Sequence, residues 1–318
     1  MTPKLAETDP EGLTLAPIAP APTGRGVIAR HAFTFLLLGL LFTAFSPIFV
    51  RLSEIGPVAT AAYRLALPLP LFFAVLWLRP QDRIATTSAD SRHDVWLVLL
   101  SGVFFAGDLL FWNSSVMLTT VANASLLANI TPVYVVLGSW LLFKDRPGPL
   151  FLVGMVVALG GSAVMMMESQ GVAGRSIAGD VSAMVASAFY AGYVLTLSRV
   201  RKRVSIVATM GIGGAVAAAI LALIAVFAED QLLPHTLNGW MLMAAMALFA
   251  QVMGQLFIAL SLAYVPPGLV ATMFLGQPAI PALTAWALFN ESITIYQVVG
   301  GVALLAGLEI SRRGAVKA

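Results

Sequence analysis

The sequence predicts an all-α integral membrane protein with ten transmembrane helices, arranged as two inverted five-helix repeats with both termini cytoplasmic. Three observations predict this fold class: an apolar composition, a series of long apolar runs, and an internal repeat. Of the 318 residues, 59% are hydrophobic and only 10% are charged. A soluble domain has about 45–50% apolar and about 25% charged residues. A soluble protein is therefore excluded, because too few polar side chains remain to cover its surface.

The chain divides into a polar tail and a series of apolar runs. Residues 1–30 are rich in Pro and Ala and lack apolar periodicity, which is typical of a disordered tail, here a cytoplasmic one. A helix needs about 20 apolar residues to cross the hydrocarbon core, and each later run comes close to that length. The ten predicted spans are residues 32–50, 57–78, 95–117, 121–143, 149–168, 177–198, 205–228, 238–264, 267–289 and 293–312.

Basic residues divide unevenly between the two faces of this arrangement. With the N-terminus in the cytoplasm, 15 of the 18 Lys and Arg residues fall in cytoplasmic segments, as the positive-inside rule requires. Arg51 and Arg175 fall outside, and Arg64 stays within a span. A miscounted helix would scramble this split, so it supports ten spans with both ends inside. It also accounts for the net charge of +3 without a nucleic-acid partner.

The chain matches itself when it is shifted by 146 positions. Ten identities occur in the thirty positions 132–161, and Pro132 pairs with Pro278. Because each repeat contains five helices, an odd number, the second copy enters the membrane from the opposite side. We expect a first repeat over residues 31–168 and a second, inverted repeat over residues 177–313. Inverted repeats are typical of alternating-access transporters, whose site lies near the midplane where the halves meet.

Several short segments carry a resemblance to a known family. They are Tyr63-Arg64, Phe111–Met117, Val121–Leu127, Thr131–Tyr134, Asp145, Gln277-Pro278 and Asn290–Ser292. Over about residues 32–312 the chain resembles the drug/metabolite transporter superfamily in its EamA-like branch, and it is most similar to bacterial exporters of aromatic amino acids. The resemblance implies a multi-pass protein of the bacterial inner membrane. Lys144-Asp145 departs from the Gly-Glu that is usual in the family, at a turn expected to be structural.

Two charged residues are predicted to lie inside the bilayer, where charges are costly and mark functional sites. Arg64 and Asp108 lie about 10 and 13 Å from the outer ends of their helices, at 1.5 Å per residue. A salt bridge between them is one alternative, which makes the pair a structural tie. The other makes Asp108 a partner for a substrate ammonium group or a proton carrier. Arg64 is expected to be a structural charge that snorkels to the interface.

Polar and aromatic side chains within the spans are candidates for a substrate cavity. Amides that faced lipid would lose hydrogen bonds, so they face either a wet cavity or neighbouring helices as interhelical bonds. Gln251 and Gln255 share one helix face at i, i+4 and are expected in the cavity. The aromatic candidates stack against a planar substrate. The full set of cavity candidates is Asp108, Trp112, Asn123, Asn129, Tyr134, Tyr190, Gln251, Gln255 and Gln277.

Prolines and small residues indicate how the helices bend and pack. Pro132 and Pro278 interrupt equivalent helices of the two repeats and are predicted gating hinges, with a static kink as the alternative. Gly154, Ala158 and Ser162 form a row of small residues on the fifth helix. Such rows allow close helix packing. Packing within the chain is favoured over dimerisation.

The sequence favours a secondary transporter that exports small amphipathic metabolites, amino acids above all. Its expected partners are a small-molecule substrate, the lipid bilayer and, as a candidate, protons; neither a cofactor nor a nucleic acid is expected, and a monomer suffices. A passive channel or facilitator is the closer alternative. An intramembrane enzyme is disfavoured, because the sequence has no Cys and no mid-span His or Lys. It also lacks the Gly-Lys-Ser/Thr motif that would indicate ATP hydrolysis.

Overall fold

A computed structural model describes residues 29–82, 89–119, 121–165, 176–201, 203–277, 280 and 295–316. The regular secondary structure of these residues is helical throughout. The α-helices are α1 (Ala32–Thr43), α2 (Ser46–Arg51), α3 (Pro57–Ala66), α4 (Leu69–Leu78), α5 (Ala89–Leu118), α6 (Val121–Ala128), α7 (Thr131–Phe143), α8 (Pro149–Met165), α9 (Ile177–Val200), α10 (Ile206–Ala228), α11 (Leu237–Met246), α12 (Leu256–Ser261), α13 (Pro267–Met273) and α14 (Ile295–Val316). A π-helical segment, Ala247–Gln255, joins α11 to α12, and short 3-10 turns cover Pro80–Asp82 and Phe274–Gly276.

The helices have the length and the surface of a multi-pass membrane protein. Within the described residues, seven helical stretches are long and apolar enough to cross a membrane, and three shorter apolar helices accompany them. Each of the ten predicted spans overlaps one of these stretches. Large apolar side chains such as Trp77, Phe227 and Leu142 are exposed on the outside. The membrane class and the helical fold are therefore confirmed, whereas ten complete crossings and cytoplasmic termini stay predictions.

Some sequence predictions fall on residues that the structure does not describe. Residues 1–28 of the tail, Pro278 and the loop 290–292 lie outside the described ranges, and so does the side chain of Asn123. Most of the ninth predicted span, from residue 278 onward, also lies outside them, with Ile280 as the exception.

Several predicted spans are broken near their middle, and a proline stands just after each of three breaks. Pro47, Pro70 and Pro132 are the second residues of α2, α4 and α7. Proline has no N–H to donate and its ring clashes with the preceding turn, so a helix stops before it. At the start of the next helix the missing N–H costs nothing. At these prolines the spans are interrupted by short turns, in which residues such as Phe45, Pro68 and Ile130 keep right-handed helical angles. The predicted interruption at Pro278 lies outside the described residues.

The pair α8 and α14 packs backbone against backbone. A Cβ atom on Gly161 would collide with the backbone nitrogen of Leu304, and one on Gly307 would collide with the backbone of Ala158. Ala158 and Ser162 are fully buried. Small residues let helices approach this closely in a membrane. The predicted row of small residues therefore packs within the chain.

The span Leu237–Ser261 is continuous, but its middle is widened into the π-helical segment. π-Helical turns form i→i+5 hydrogen bonds and occur mostly as short insertions, frequently at functional sites. Here the segment lies close against α1, because a Cβ atom on Gly39 would come within 2.8 Å of the Gly254 carbonyl oxygen. The sequence predicts an ordinary α-helix at this place, and periodicity alone does not reveal the extra residue in the turn.

Candidate functional site

A cavity of about 850 Å³ lies where the helix breaks meet, and we call it the central cavity. Its wall includes residues from the breaks between α1 and α2, between α6 and α7, and after α13. These residues are Thr43, Ala44, Ser46, Pro47, Asn129, Thr131, Phe274 and Gln277. A broken helix leaves main-chain groups that need polar partners, so in a membrane such backbone lies along a cavity or inside protein. Both halves of the chain contribute to the wall.

Hydrogen bonds between side chains join the helices around the breaks. Gln277 Nε2 donates to Thr43 Oγ1 at 2.8 Å, which connects the end of α13 to α1. Asn129 Nδ2 donates to Ser162 Oγ at 2.6 Å. Ser187 Oγ donates to the Leu127 carbonyl at 3.1 Å, close to the end of α6. Two of these three bonds, Gln277 to Thr43 and Ser187 to Leu127, cross from the second half of the chain to the first.

Arg64 and Asp108 both face the central cavity, but they do not form the direct salt bridge that the sequence allowed. Among the described residues, no ion pair within 4.0 Å joins them. Arg64 is only 3% exposed, so it does not snorkel to an interface. Its Nη1 donates to Ser46 Oγ at 3.0 Å, and its guanidinium lies 5.8 Å from the centre of the Phe105 ring. Asp108 is half-buried.

The structure brings six of the nine cavity candidates together around this space: Asp108, Trp112, Asn129, Tyr190, Gln255 and Gln277. Tyr134 lies elsewhere, partly buried against the apolar core. Gln251 lines a separate cavity of about 220 Å³, together with Phe105 and Tyr193. It shares a helix face with Gln255 but lies one turn further along the axis, so the two amides end in different spaces.

Three polar atoms around the central cavity are buried without a hydrogen-bond partner among the described residues. They are Arg64 Nε, the Tyr190 hydroxyl and Gln255 Oε1. Most buried polar groups in proteins are bonded, so each exception needs an explanation. The Tyr190 hydroxyl and the Gln255 side chain lie close enough to interact with each other, whereas Arg64 Nε lacks such a neighbour among the described residues. The rings of Tyr190 and Phe274 pack edge to face with their centres 5.1 Å apart, which gives the cavity an aromatic wall.

Sequence reasoning missed four polar or aromatic members of the cavity wall, Thr43, Ser46, Ser187 and Phe274, and the apolar Ala44 and Leu109. Thr43 and Ser46 lie within one turn of Pro47, so hydroxyls close to a mid-span proline were a usable signal. Phe274 precedes Pro278 by one turn and carries the same signal. Ser187 lies in the unbroken helix α9, and its sequence neighbours do not point to a cavity.

Two carboxylates cap the first turns of α3 and α11. Both Glu229 carboxylate oxygens accept hydrogen bonds at the start of α3, from Val58 N at 2.7 Å and Ala59 N at 2.8 Å. Glu54 caps α11 in the opposite direction, and its hydrogen bond from the Thr236 hydroxyl lowers the pKa of the Glu54 carboxyl. Each carboxylate belongs to one half of the chain and caps a helix of the other half.

Two arginines hold carbonyl groups at equivalent places in the two halves. Arg51 follows the first span and donates to the carbonyls of Val116 and Thr119 at 3.2 and 3.1 Å. Arg201 follows the first span of the second half and donates to the Ala259 carbonyl at 3.2 Å. Burial lowers the pKa of Arg201 to about 10. Each arginine thus ties the first span of its half to the third.

A larger cavity, of about 990 Å³, lies at the other end of α7 beside the loop from Lys144 to Gly148. It contains none of the predicted site residues, and its charged lining residues, Lys144, Asp145 and Arg146, are exposed. The central cavity is the better candidate because it lies among the helix breaks and contains the buried Arg64 and the half-buried Asp108. Among the described residues, no three His, Asp or Glu side chains are grouped to hold a metal ion.

The chain is similar to known transport proteins. The EamA-like transporter family model matches residues 31–167 and again residues 177–312. The chain is 27% identical over 225 residues to "Pseudopaline exporter CntI" in two strains of Pseudomonas aeruginosa, UCBPP-PA14 and PAO1. The match spans 70% of this chain and 77% of those proteins. A crystal structure with 18% sequence identity has a TM-score of 0.73 and covers 92% of this chain and 99% of its own, which shows the shared fold.

Proposed function

The chain belongs to the EamA-like transporter family, and from this we propose that it is a secondary transporter that exports small amphipathic metabolites across the bacterial inner membrane. Aromatic or other bulky neutral amino acids are the expected cargo. The observation that carries the proposal is the central cavity of about 850 Å³, which lies at the helix breaks and is lined by both halves of the chain. Broken helices at a repeat interface are where transporters bind their substrates.

The duplicated family match supports an inverted repeat and alternating access. The two matched ranges are nearly equal in length, and five helices in each would give ten crossings with both termini in the cytoplasm. In this arrangement the two halves rock against each other around the cavity. The substrate gradient or a proton supplies the energy, and Asp108 is the candidate proton carrier. One chain contains both halves, so a monomer is sufficient.

Counterflow in proteoliposomes tests this function. Purified protein is reconstituted, the vesicles are loaded with unlabelled L-phenylalanine or L-leucine, and entry of the labelled amino acid is followed. A transporter gives saturable uptake that accelerates when the opposite side contains substrate. Flux that rises linearly with concentration and shows no exchange acceleration would instead establish a passive channel.

Two glutamines on one helix provide a matched test of the cavity. Gln255→Ala removes an amide from the central cavity, whereas Gln251→Ala removes one from the separate small cavity four residues away. We expect Gln255→Ala to weaken transport several-fold and Gln251→Ala to leave it close to the wild-type rate, with both proteins folded. Equal loss in the two variants would place the substrate elsewhere.

A further inference from the structure

We propose that the central cavity binds zwitterionic cargo, with Arg64 as the anchor for the carboxylate and Asp108 as the anchor for the ammonium group. This assignment rests on the transport function proposed above and names the chemical class of its substrate. It gives Arg64 a binding role in place of the structural role that its sequence position favours.

One edge of the Arg64 guanidinium group lacks a hydrogen-bond partner among the described residues. Nη1 is occupied by Ser46 Oγ, whereas Nε is buried without a partner among the described residues. Nε and Nη2 form the edge of an arginine side chain that binds a carboxylate with two parallel hydrogen bonds. Ser46 therefore fixes the guanidinium from the side opposite to this edge. A buried cation held this way requires an anion to compensate it.

Asp108 supplies the complementary charge on the same cavity. Asp108 lies on α5. No ion pair joins it to Arg64, so its carboxylate oxygens are more than 4.0 Å from the Arg64 nitrogens. Among the described residues that line the cavity, these two are the charged ones. Their charges sum to zero but are separated in space. A ligand with one anionic and one cationic group satisfies both, whereas a simple anion or cation would leave one buried charge uncompensated.

The remaining wall fits the side chain of an amino acid. Trp112 follows Asp108 by one helical turn and so lies on the same face of α5. Tyr190 and Phe274 form an edge-to-face pair on another side of the cavity. An apolar side chain would contact these rings while its α-carbon groups reach the two charges.

Binding to the purified full-length protein in detergent tests the assignment independently of transport. The probes are L-phenylalanine, its amide, which lacks the carboxylate, and 3-phenylpropanoate, which lacks the ammonium group. Calorimetry on the wild-type protein is expected to show that either truncation weakens binding by about tenfold or more, as for other hydrogen bonds to charged groups. Amide binding as tight as that of phenylalanine would overturn the role of Arg64, and tight 3-phenylpropanoate binding would overturn that of Asp108.

Variants assign each preference to its residue. Arg64→Gln should remove the preference for phenylalanine over the amide and keep the preference over 3-phenylpropanoate, and Asp108→Asn should do the reverse. Arg51→Gln is the matched control, because Arg51 holds the end of α5 and does not line the central cavity; it should change neither preference. If Arg64→Gln does not fold, Ser46→Ala keeps the charge but frees Nη1, and it should weaken phenylalanine more than the amide.

The outcomes separate this inference from the proposed function. Counterflow without the two ligand preferences would leave a transporter whose charged pair is only a structural tie, and the inference would fail. The two preferences without any counterflow would leave a zwitterion-binding protein, and the transport proposal would fail.

Discussion

The pair α8 and α14 and the broken helices around the central cavity are held together in opposite ways. α8 and α14 are uninterrupted over Pro149–Met165 and Ile295–Val316, and their backbones touch at glycines. The broken helices meet through side-chain hydrogen bonds, such as the one from Gln277 to Thr43. Lipid provides no hydrophobic force between helices, so the association of helices depends on close packing and on hydrogen bonds between them. Glycine contacts dominate between α8 and α14, whereas around the cavity they occur, as at Gly39 and Gly254, together with side-chain hydrogen bonds.

The difference indicates which part of the molecule stays rigid. Backbone contact at glycines cannot be altered without a collision, so α8 and α14 form a fixed unit. A hydrogen bond between membrane helices contributes only about 0.6 kcal/mol on average. Bonds of this strength break and re-form easily, and the proposed alternating access requires that property around the cavity. The comparison predicts large stability effects at the glycine contacts and small, functional effects at the breaks.

The largest effect is expected for Gly161→Val. The new side chain would collide with the backbone of Leu304, which cannot move without displacing α14. Overpacking of this kind destabilises by about 1–3 kcal/mol, and more where backbone must shift. Unfolding in detergent, followed by thermal denaturation, should show the loss.

A neighbouring glycine provides the control for this prediction. A Cβ atom on Gly160 would meet nothing within 4 Å, so Gly160→Val makes the same chemical change on the open side of α8. Its melting temperature should stay close to that of the wild type. Equal destabilisation by the two variants would show that helix propensity, not contact with α14, determines the result.

A smaller effect is expected for Glu229→Ala at the start of α3. The substitution removes both carboxylate bonds to the Val58 and Ala59 backbone nitrogens. Loss of an N-terminal cap costs about 0.5–2 kcal/mol. Asp230→Ala is the matched control, because Asp230 is exposed and adjacent. A lower melting temperature for Glu229→Ala alone would confirm that the broken spans depend on such caps, and identical curves would contradict it.

Much of this architecture could be predicted from sequence because lipid limits the choices. Hydropathy located a helix in every predicted span, and Pro132 marks one of the interruptions. An amide group without hydrogen bonds is costly in lipid, and this cost predicted polar surroundings for Asn129, Gln255 and Gln277. Each of those three side chains lines the central cavity.

The remaining features depend on contacts between distant segments. The π-helical segment lies where Gly39 meets Gly254, which are more than two hundred residues apart. Gln251 and Gln255 share a face, but the packing of Phe105 and Tyr193 around Gln251 decides that it ends in a different cavity. Distance along the chain indicated how deep Arg64 lies, but not that neighbouring helices would bury it. Helix periodicity contains none of this information.

The Gln277–Thr43 bond, one of those that join the two halves, provides the next test of the comparison. Thr43→Val keeps the shape of the side chain and removes the hydroxyl that accepts from Gln277. At about 0.6 kcal/mol, its loss should change the transport rate about threefold with little change in stability. Thr272→Val is the control, since among the described residues the hydroxyl of Thr272 bonds within its own helix, to the Gly268 carbonyl at 2.8 Å. Equal effects of the two variants would show that the cross-half bond has no special part in transport.

The smallest effect is expected in the pH dependence of stability that Glu54 contributes. Glu54 caps α11, which begins a span that no proline interrupts. The hydrogen bond from Thr236 lowers the pKa of this carboxyl below its usual value of 4.5. A lowered pKa in the folded state contributes stability above pH 4.5, and that contribution disappears as the pH falls through the folded-state pKa. The melting temperature of Glu54→Gln should therefore fall less than that of the wild type between pH 6 and about pH 3.5. The difference is small because water screens a group at the surface. Parallel curves for the two proteins would show that the cap does not stabilise α11, and would confine the dependence on caps to the broken helices.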